Sequence, residues 1–536
     1  MTTRTTLPRH AATCALLATA LVACERTPST ETARATPASA GDEHAAPPPS
    51  RPAGPPWLTL GEDVSARARE RNAERFRPPP SVFRSIEVHP MEPPRVERFD
   101  GGWRAHLPSR APVTTPTVHG GRLIASGGFR SRHMFAFDAR SGEPIWSIGL
   151  GDDGPSAPAC AGETCVFNTE SCTLFAVDAA TGEKKWAWYI GDPLMSAPAI
   201  ADGKVLAAYP IRGGGTWPEG EDRPLPEDAT HALGAFDLET GELLWARWID
   251  ADVISAPVVV MGHVYAATFG GTLYHLLLED GAVLEARVAR ATSAPALVDG
   301  ALYFARRENE GNEAWERIVR GAEPPPLERP ERAGKPDDPP AQATPRRRAA
   351  YLEREFQART RYSFDSEQLD AANGFADGAP AAANAQVALG LIGRATVHGL
   401  QEYQGSWVLG AGAHNLATMG TALVGYDRRS GREAWTVPLP GDLAQQGGAL
   451  AAPPARAGGR AVLATLSGEV LIVDPSDGEV ERRLDAGAPL RTQAVVEGGR
   501  VFVGTANGQV VALETGDASL TGWPTWAGDA ARTGAP

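Results

Sequence analysis

At 536 residues, with 42% hydrophobic and 22% charged side chains, the chain has the make-up of a globular protein, long enough for one large all-β domain or several ordinary ones. Fifty-one Lys and Arg stand against 65 Asp and Glu, a net charge of −14, which argues against a nucleic acid or another polyanion as partner.

Arg4, Arg9 and His10 open the chain with positive charge, and Ala11 to Ala23 follows as AATCALLATALVA. That order reads as a signal peptide over residues 1–23 and not as a spanning helix; no other apolar run is long enough to cross a bilayer. It ends Leu21-Val22-Ala23-Cys24, which resembles a bacterial lipobox, so Cys24 is expected to be lipidated and to become the mature N-terminus. Each buried acyl methylene contributes about 0.8 kcal/mol, so a multiply acylated cysteine is an anchor without a transmembrane segment. Glu25 is not the aspartate associated with inner-membrane retention in enteric bacteria, which turns the expectation toward the outer membrane. Residues 24–56, rich in Pro, Ala, Thr and Ser, read as a disordered tether. Residues 57–95 form an N-terminal extension with a short charged helix expected over 62–77. Glu70 and Glu74 interrupt its arginines, which favours a solvated helix over a membrane-contacting patch.

From about residue 96 the chain repeats. Ser-Ala-Pro recurs at Ser156, Ser196, Ser255 and Ser293, and five residues after each proline comes a turn position, Glu163, Gly203, Gly262 and Gly300. Looser copies set Pro116 before Gly121, Leu400 before Gly405, Pro454 before Gly459 and Ala494 before Gly499. The basic unit is near 40 residues, and a period of about 40–45 with four strands per unit is a propeller signature. Two-residue turns such as Asp202-Gly203 and Asp299-Gly300 supply the positive φ of a tight hairpin.

The third strand of a unit ends in AxDxxxGxxxW. Ala136, Asp138, Gly142 and Trp146 make one copy; Ala176, Asp178, Gly182 and Trp186 a second; Ala235, Asp237, Gly241 and Trp245 a third; Asp427, Gly431 and Trp435 remain in a fourth, with Gly425 at the alanine position. The aspartate suits turn amides, the glycine a left-handed turn, and the tryptophan a large packing element. Elsewhere the motif degenerates, to His275, Leu277, Gly281 and Glu285 in the fourth unit and Asp474, Gly478 and Arg482 in the seventh.

This pattern resembles the tryptophan-docking motif of the PQQ-like β-propellers, in which each indole wedges against the next blade. The resemblance implies an all-β, eight-bladed β-propeller over residues 96–534, with Trp103, Trp146, Trp186, Trp245 and Trp435 as docking residues. The last unit, Arg491 to Glu514, shows only about three strands. Residues 96–107, which carry Trp103, are therefore expected to complete the last blade as an N-terminal strand and leave no open edge. Trp523 to Gly534, WPTWAGDAARTG, resembles a segment common beside the first blade of this family, as expected if both chain ends meet at one seam. Residues 306–386 form a Pro-rich, partly helical insertion in the fifth blade, with a helix expected over 349–360; it reads either as disordered or as a lid or partner-docking arm.

PQQ-dependent alcohol dehydrogenases share this fold and typically carry a vicinal disulfide over the quinone, Ca²⁺ ligands and an aspartate base. The chain has no adjacent cysteine pair and no CxxCH, HExxH, GxSxG, P-loop or EF-hand motif, and its eleven histidines are scattered. No catalytic, cofactor-binding or metal residue is therefore assigned, and PQQ with Ca²⁺ is not expected. Cys160 and Cys165 flank the Gly162-Glu163 turn symmetrically, at a non-hydrogen-bonded cross-strand pair where a disulfide fits; a free-thiol pair, or a metal site with Cys172, is the alternative. The leading expectation is a noncatalytic envelope lipoprotein that binds other envelope proteins. In leader, lipobox and repeat type it resembles the lipoprotein propeller of the outer-membrane β-barrel assembly machinery. The alternative is a quinone or sugar oxidoreductase using the propeller funnel.

Overall fold

The structure is a computed structural model. It describes residues 87–534 except 129–130, 170–172, 191–195, 211–230, 270, 290, 292, 299–300, 310–311, 319–406, 420 and 442–449. Cys24, the tether, Cys172 and the helices expected over 62–77 and 349–360 lie outside the described residues.

Every regular element among the described residues is a β-strand, and the strands form eight antiparallel sheets, numbered by chain order of their innermost strands: Thr117–His119 opens sheet 1, Ala159–Ala161 sheet 2, Ala199–Ala201 sheet 3, Val258–Val260 sheet 4, Ala296–Val298 sheet 5, Leu409–Ala411 sheet 6, Ala455–Ala457 sheet 7 and Val495–Glu497 sheet 8. Sheet 2 shows the plan. A three-residue innermost strand, Ala159–Ala161, turns into Thr164–Asn168, then Thr173–Asp178, then the outermost Lys184–Tyr189. The first hairpin of each unit is tight because its turn residues accept positive φ: Asp202 and Gly203 in sheet 3 lie at +46° and +68°.

The spacing inside AxDxxxGxxxW has a local cause. In sheets 1, 2, 3, 4, 6 and 7 the register between third and fourth strands shifts at the motif's alanine position, as where Ala136 opposes Trp146 and Phe137 opposes Pro144. The extra residue of the bulge, Ile145 in sheet 1 and Leu244 in sheet 3, is turned outward and exposed. The bulge re-aims the indole toward the neighbouring sheet, and the small residue opposite leaves room for it. In sheet 6 a Cβ on Gly425 would lie 2.2 Å from the Trp435 ring.

Neighbouring sheets bury their faces against each other, which explains strands that are apolar on both sides. Phe135 and Phe137 of sheet 1 meet Phe502 and Val510 of sheet 8, and Phe167 and Phe175 of sheet 2 pack with Ile148 of sheet 1. Innermost strands lie side by side from sheet 1 to sheet 4, from sheet 5 to sheet 8, and from sheet 8 back to sheet 1. Sheets 4 and 5 join through Val258 and Tyr265 against Leu302 and Phe304.

The N-terminal segment works at two outer edges. Gly102–His106 pairs with Gln509–Glu514 of sheet 8 and carries Arg95–Phe99 outside it, while Val88–Pro90 pairs with the outermost strand of sheet 1. Backbone groups that would otherwise face solvent are thereby covered.

Two expectations about the repeat need correction. The sixth unit is anchored by Val408, ahead of Leu409–Ala411, and not by Leu400, which lies outside the described residues. The motif is so worn there, with Trp407 in the alanine place, that spacing alone chose a wrong frame. In the fifth unit Ala301–Asn309 and Asn312–Ile318 pair as a hairpin, so residues 306–309 and 312–318 are strand rather than insertion.

Candidate functional site

The expected docking tryptophans occupy equivalent places. Trp103 of sheet 8 donates from Nε1 to Ala139 O of sheet 1 at 3.3 Å, Trp146 to Ala179 O at 3.1 Å, Trp186 to Leu238 O at 3.0 Å and Trp245 to Leu278 O at 2.9 Å. Each acceptor is one residue beyond the turn-aspartate position of the next sheet. Each ring also lies on that sheet's turn glycine: a Cβ on Gly142, Gly182, Gly241 or Gly281 would come within 2.8 Å of the indole. Trp435 rests on Gly478 in the same way, but its Nε1 has no acceptor among the described residues. The glycines thus serve both the left-handed turn and the flat seat of the ring.

The turn aspartates hold those seats. Asp138 Oδ1 accepts from Arg140 N, Ser141 N and Ser141 Oγ, and Asp237 Oδ1 from Glu239 N, Thr240 N and Thr240 Oγ1. The Ser141 amide and hydroxyl hold Asp138 below the usual carboxylate range, as Thr240 does for Asp237. A carboxyl lowered in the fold adds stability that is complete above the unfolded value of about 3.9 and is lost as pH falls through the lower folded value. Urea midpoints are therefore expected to fall below about pH 4, and the fall should be shallower in an Asp138→Asn/Asp178→Asn/Asp237→Asn variant, which keeps an acceptor without the titration. Equal acid slopes in both proteins would refute this.

Cys160 and Cys165 are joined as a disulfide across the first hairpin of sheet 2, with Cα atoms 4.1 Å apart. Both sulfurs sit in the apolar layer between sheets 1 and 2. Asp250, 2% exposed, has its carboxyl pushed up by burial, and accepts hydrogen bonds from Thr268 Oγ1 and Thr272 Oγ1 at 2.7 and 2.5 Å. Both hydroxyls flank one hairpin turn, so this acid fastens a loop.

The C-terminal tail meets sheets 8 and 1, where the N-terminal strand also lies, as expected, and then goes further than expected. It runs on across the innermost strands of sheets 3 and 4. Val496 N and Trp523 O pair at 2.8 Å in sheet 8, Val118 N donates to Pro524 O in sheet 1, Ile200 N to Ala530 O in sheet 3 and Val259 N to Ala531 O in sheet 4. Trp407, ahead of sheet 6, packs on Trp523 and Trp526 at 5.9 and 6.3 Å. Gln493 of sheet 8 accepts from Trp523 Nε1 and Ala527 N through Oε1. Arg532 is wholly buried among these strands, donating to Trp526 O and Thr525 Oγ1 and, at 3.4 to 3.5 Å, to Ala157 O and Pro198 O of sheets 2 and 3. The tail therefore fills the space that the innermost strands share. Gln493, Trp407 and Arg532 were missed by repeat reading because each breaks the repeat; the signal available was two tryptophans and an arginine in a terminus too apolar to be a loose end.

The family model described as outer membrane protein assembly factor BamB, of the PQQ-like repeat type, matches residues 96–317 and 419–532. The chain belongs to this family. Among similar solved structures are the computationally designed Ika8 protein (12% identity, 76% of this chain and 96% of that one, TM-score 0.46), BamB from Moraxella catarrhalis (14%, 81% and 98%, 0.34) and Sqt1 from Saccharomyces cerevisiae (8%, 76% and 96%, 0.46). No curated protein matches the chain. As a BamB-family PQQ-like propeller protein, it carries its family match on both sides of the long span between sheets 5 and 6 and none within it. A groove of about 430 Å³ opens at the outer edge of sheets 1 and 2, beside Pro90, Met91, Ile145, Ile148 and Lys184.

Proposed function

We propose that this BamB-family protein is a noncatalytic scaffold of the cell envelope: an eight-bladed propeller, each sheet a blade and each indole a docking wedge. In this reading it is exported by residues 1–23, lipidated at Cys24, held at the outer membrane by a tether over 24–56, and binds envelope proteins, with outer-membrane protein assembly as its setting. Family membership supports the partner class, and the lipobox supports the anchor. The observation that carries the noncatalytic half is the filled inner space: Trp523, Trp526 and Arg532, each at most 3% exposed, lie among the innermost strands, which supports a propeller without an open central funnel. That filling supports the reading in which PQQ with Ca²⁺ is not held there.

The test is in-membrane crosslinking of the tagged full-length lipoprotein, with a Cys24→Ser variant as control and a parallel assay with added PQQ and Ca²⁺. A reproducible set of outer-membrane assembly proteins, lost or reduced in the variant, and no dye reduction with alcohols or sugars are expected. Saturable quinone binding with dye reduction, or crosslinking that recovers no envelope protein, overturns the reading.

A further inference from the structure

We propose that residues 82–86 add a fifth strand to the outer edge of sheet 2 and cover the groove between sheets 1 and 2. Among the described residues sheets 8 and 1 have five strands each, and sheet 2 has four. The N-terminal segment supplies the extra strands in order around the rim, Gly102–His106 and Arg95–Phe99 on sheet 8 and then Val88–Pro90 on sheet 1. Sheet 2 comes next, packed on sheet 1. The groove of about 430 Å³ is the step that the unequal widths leave, lined by Val88, Met91, Ile145 and Ile148 from the side of sheet 1 and by Gly182 and Lys184 from sheet 2. Ile145 is 43% exposed there.

The occupant follows from where the described chain begins. Its first residue is Glu87, whose Oε1 accepts from Lys184 Nζ at 3.1 Å, and Lys184 opens the outermost strand of sheet 2, Lys184–Tyr189. The chain ahead of Glu87 therefore departs beside this edge. It reads Val82-Phe83-Arg84-Ser85-Ile86, with β-branched and aromatic residues that suit a half-buried strand, and Pro78, Pro79 and Pro80 before it have no amides to extend a pairing. Five extended residues span about 17 Å, close to the length of the six-residue strand beside them. The edge is also open to pairing. On sheet 7 the outermost strand, Val480–Asp485, carries Glu481, Arg482, Arg483 and Asp485, and on sheet 3 Arg247 donates to Ala246 O of its own strand; such devices keep other strands away. On sheet 2 Trp186 to Tyr189 carry no charge, and Lys184 and Lys185 are bonded to Glu87 and Glu239. Ala187 is the counterpart of Ser147, whose carbonyl accepts from Met91 N on sheet 1.

The proposal does not rest on the scaffold reading. It is tested by residue-resolved hydrogen exchange of the full chain, for the wild type, Arg84→Ala/Ser85→Ala and Arg84→Pro/Ser85→Pro. Amides of residues 82–86 that face the sheet are expected to exchange at least about tenfold more slowly than in a free peptide of the same sequence, and the alanine pair, which keeps both amides, should match the wild type. Of two successive strand amides one faces the neighbouring strand, so the proline pair removes a ladder bond whichever it is. It should abolish the protection and speed exchange at the Ala187 amide by a similar factor. Unprotected exchange throughout residues 82–86 in the wild type overturns the proposal, as does an Ala187 amide indifferent to the proline pair, which seats the segment elsewhere. Protection that vanishes on dilution assigns the edge to a second copy of the chain and overturns it too.

Discussion

Replacing Trp523 by alanine is expected to destabilise the protein by about 3–5 kcal/mol, the range for removing a fully buried tryptophan. The indole is 0% exposed, its Nε1 donates to Gln493 Oε1 at 3.1 Å, and its ring meets Trp407. Truncation leaves a cavity where the tail meets sheet 8 and Trp407, and relaxation there is limited because the Trp523 backbone is bonded to Val496 through both its N–H and its carbonyl. A chain ending at Thr521 should lose more, since Val118, Ile200, Val259 and Val496 would each lose the carbonyl that caps an inner edge. Urea denaturation followed by circular dichroism measures both. A loss under 1 kcal/mol for Trp523→Ala would mean that the tail merely lies against the sheets.

The second large effect separates tryptophans that look alike in sequence. Trp245→Ala is expected to cost about 3–5 kcal/mol, because the ring is 6% exposed, hydrogen-bonded to Leu278 O and seated on Gly281. Trp435→Ala should cost about 1–2 kcal/mol, since this ring is only half-buried and donates to no described acceptor. Gly281→Ala, at φ +67°, reports the seat from the other side: a left-handed alanine costs about 1–2 kcal/mol before its methyl meets the indole 2.4 Å away. Comparable losses for Trp245→Ala and Trp435→Ala in urea titrations would sink the argument that the seat and hydrogen bond, not the residue type, set the energy.

Where the repeat is regular, strand order, hairpin turns and the indole seats were legible in advance, because each follows from contacts within one unit or with the next. The Ala136 to Trp146 spacing already contained the bulge, although nothing local said which way it would turn the ring. The Leu400 frame failed where those contacts change. Trp407 occupies an alanine place because it packs on the tail, a partner more than 100 residues away, and periodicity carries no such information.

By itself the amino-acid order determined the unit: which residues pair as hairpins, where φ is positive, and where the bulge before each indole falls. Tertiary structure alone decided what fills the shared inner space. Local preference acts over a few residues, whereas the course of the tail depends on strands brought together from distant parts of the chain.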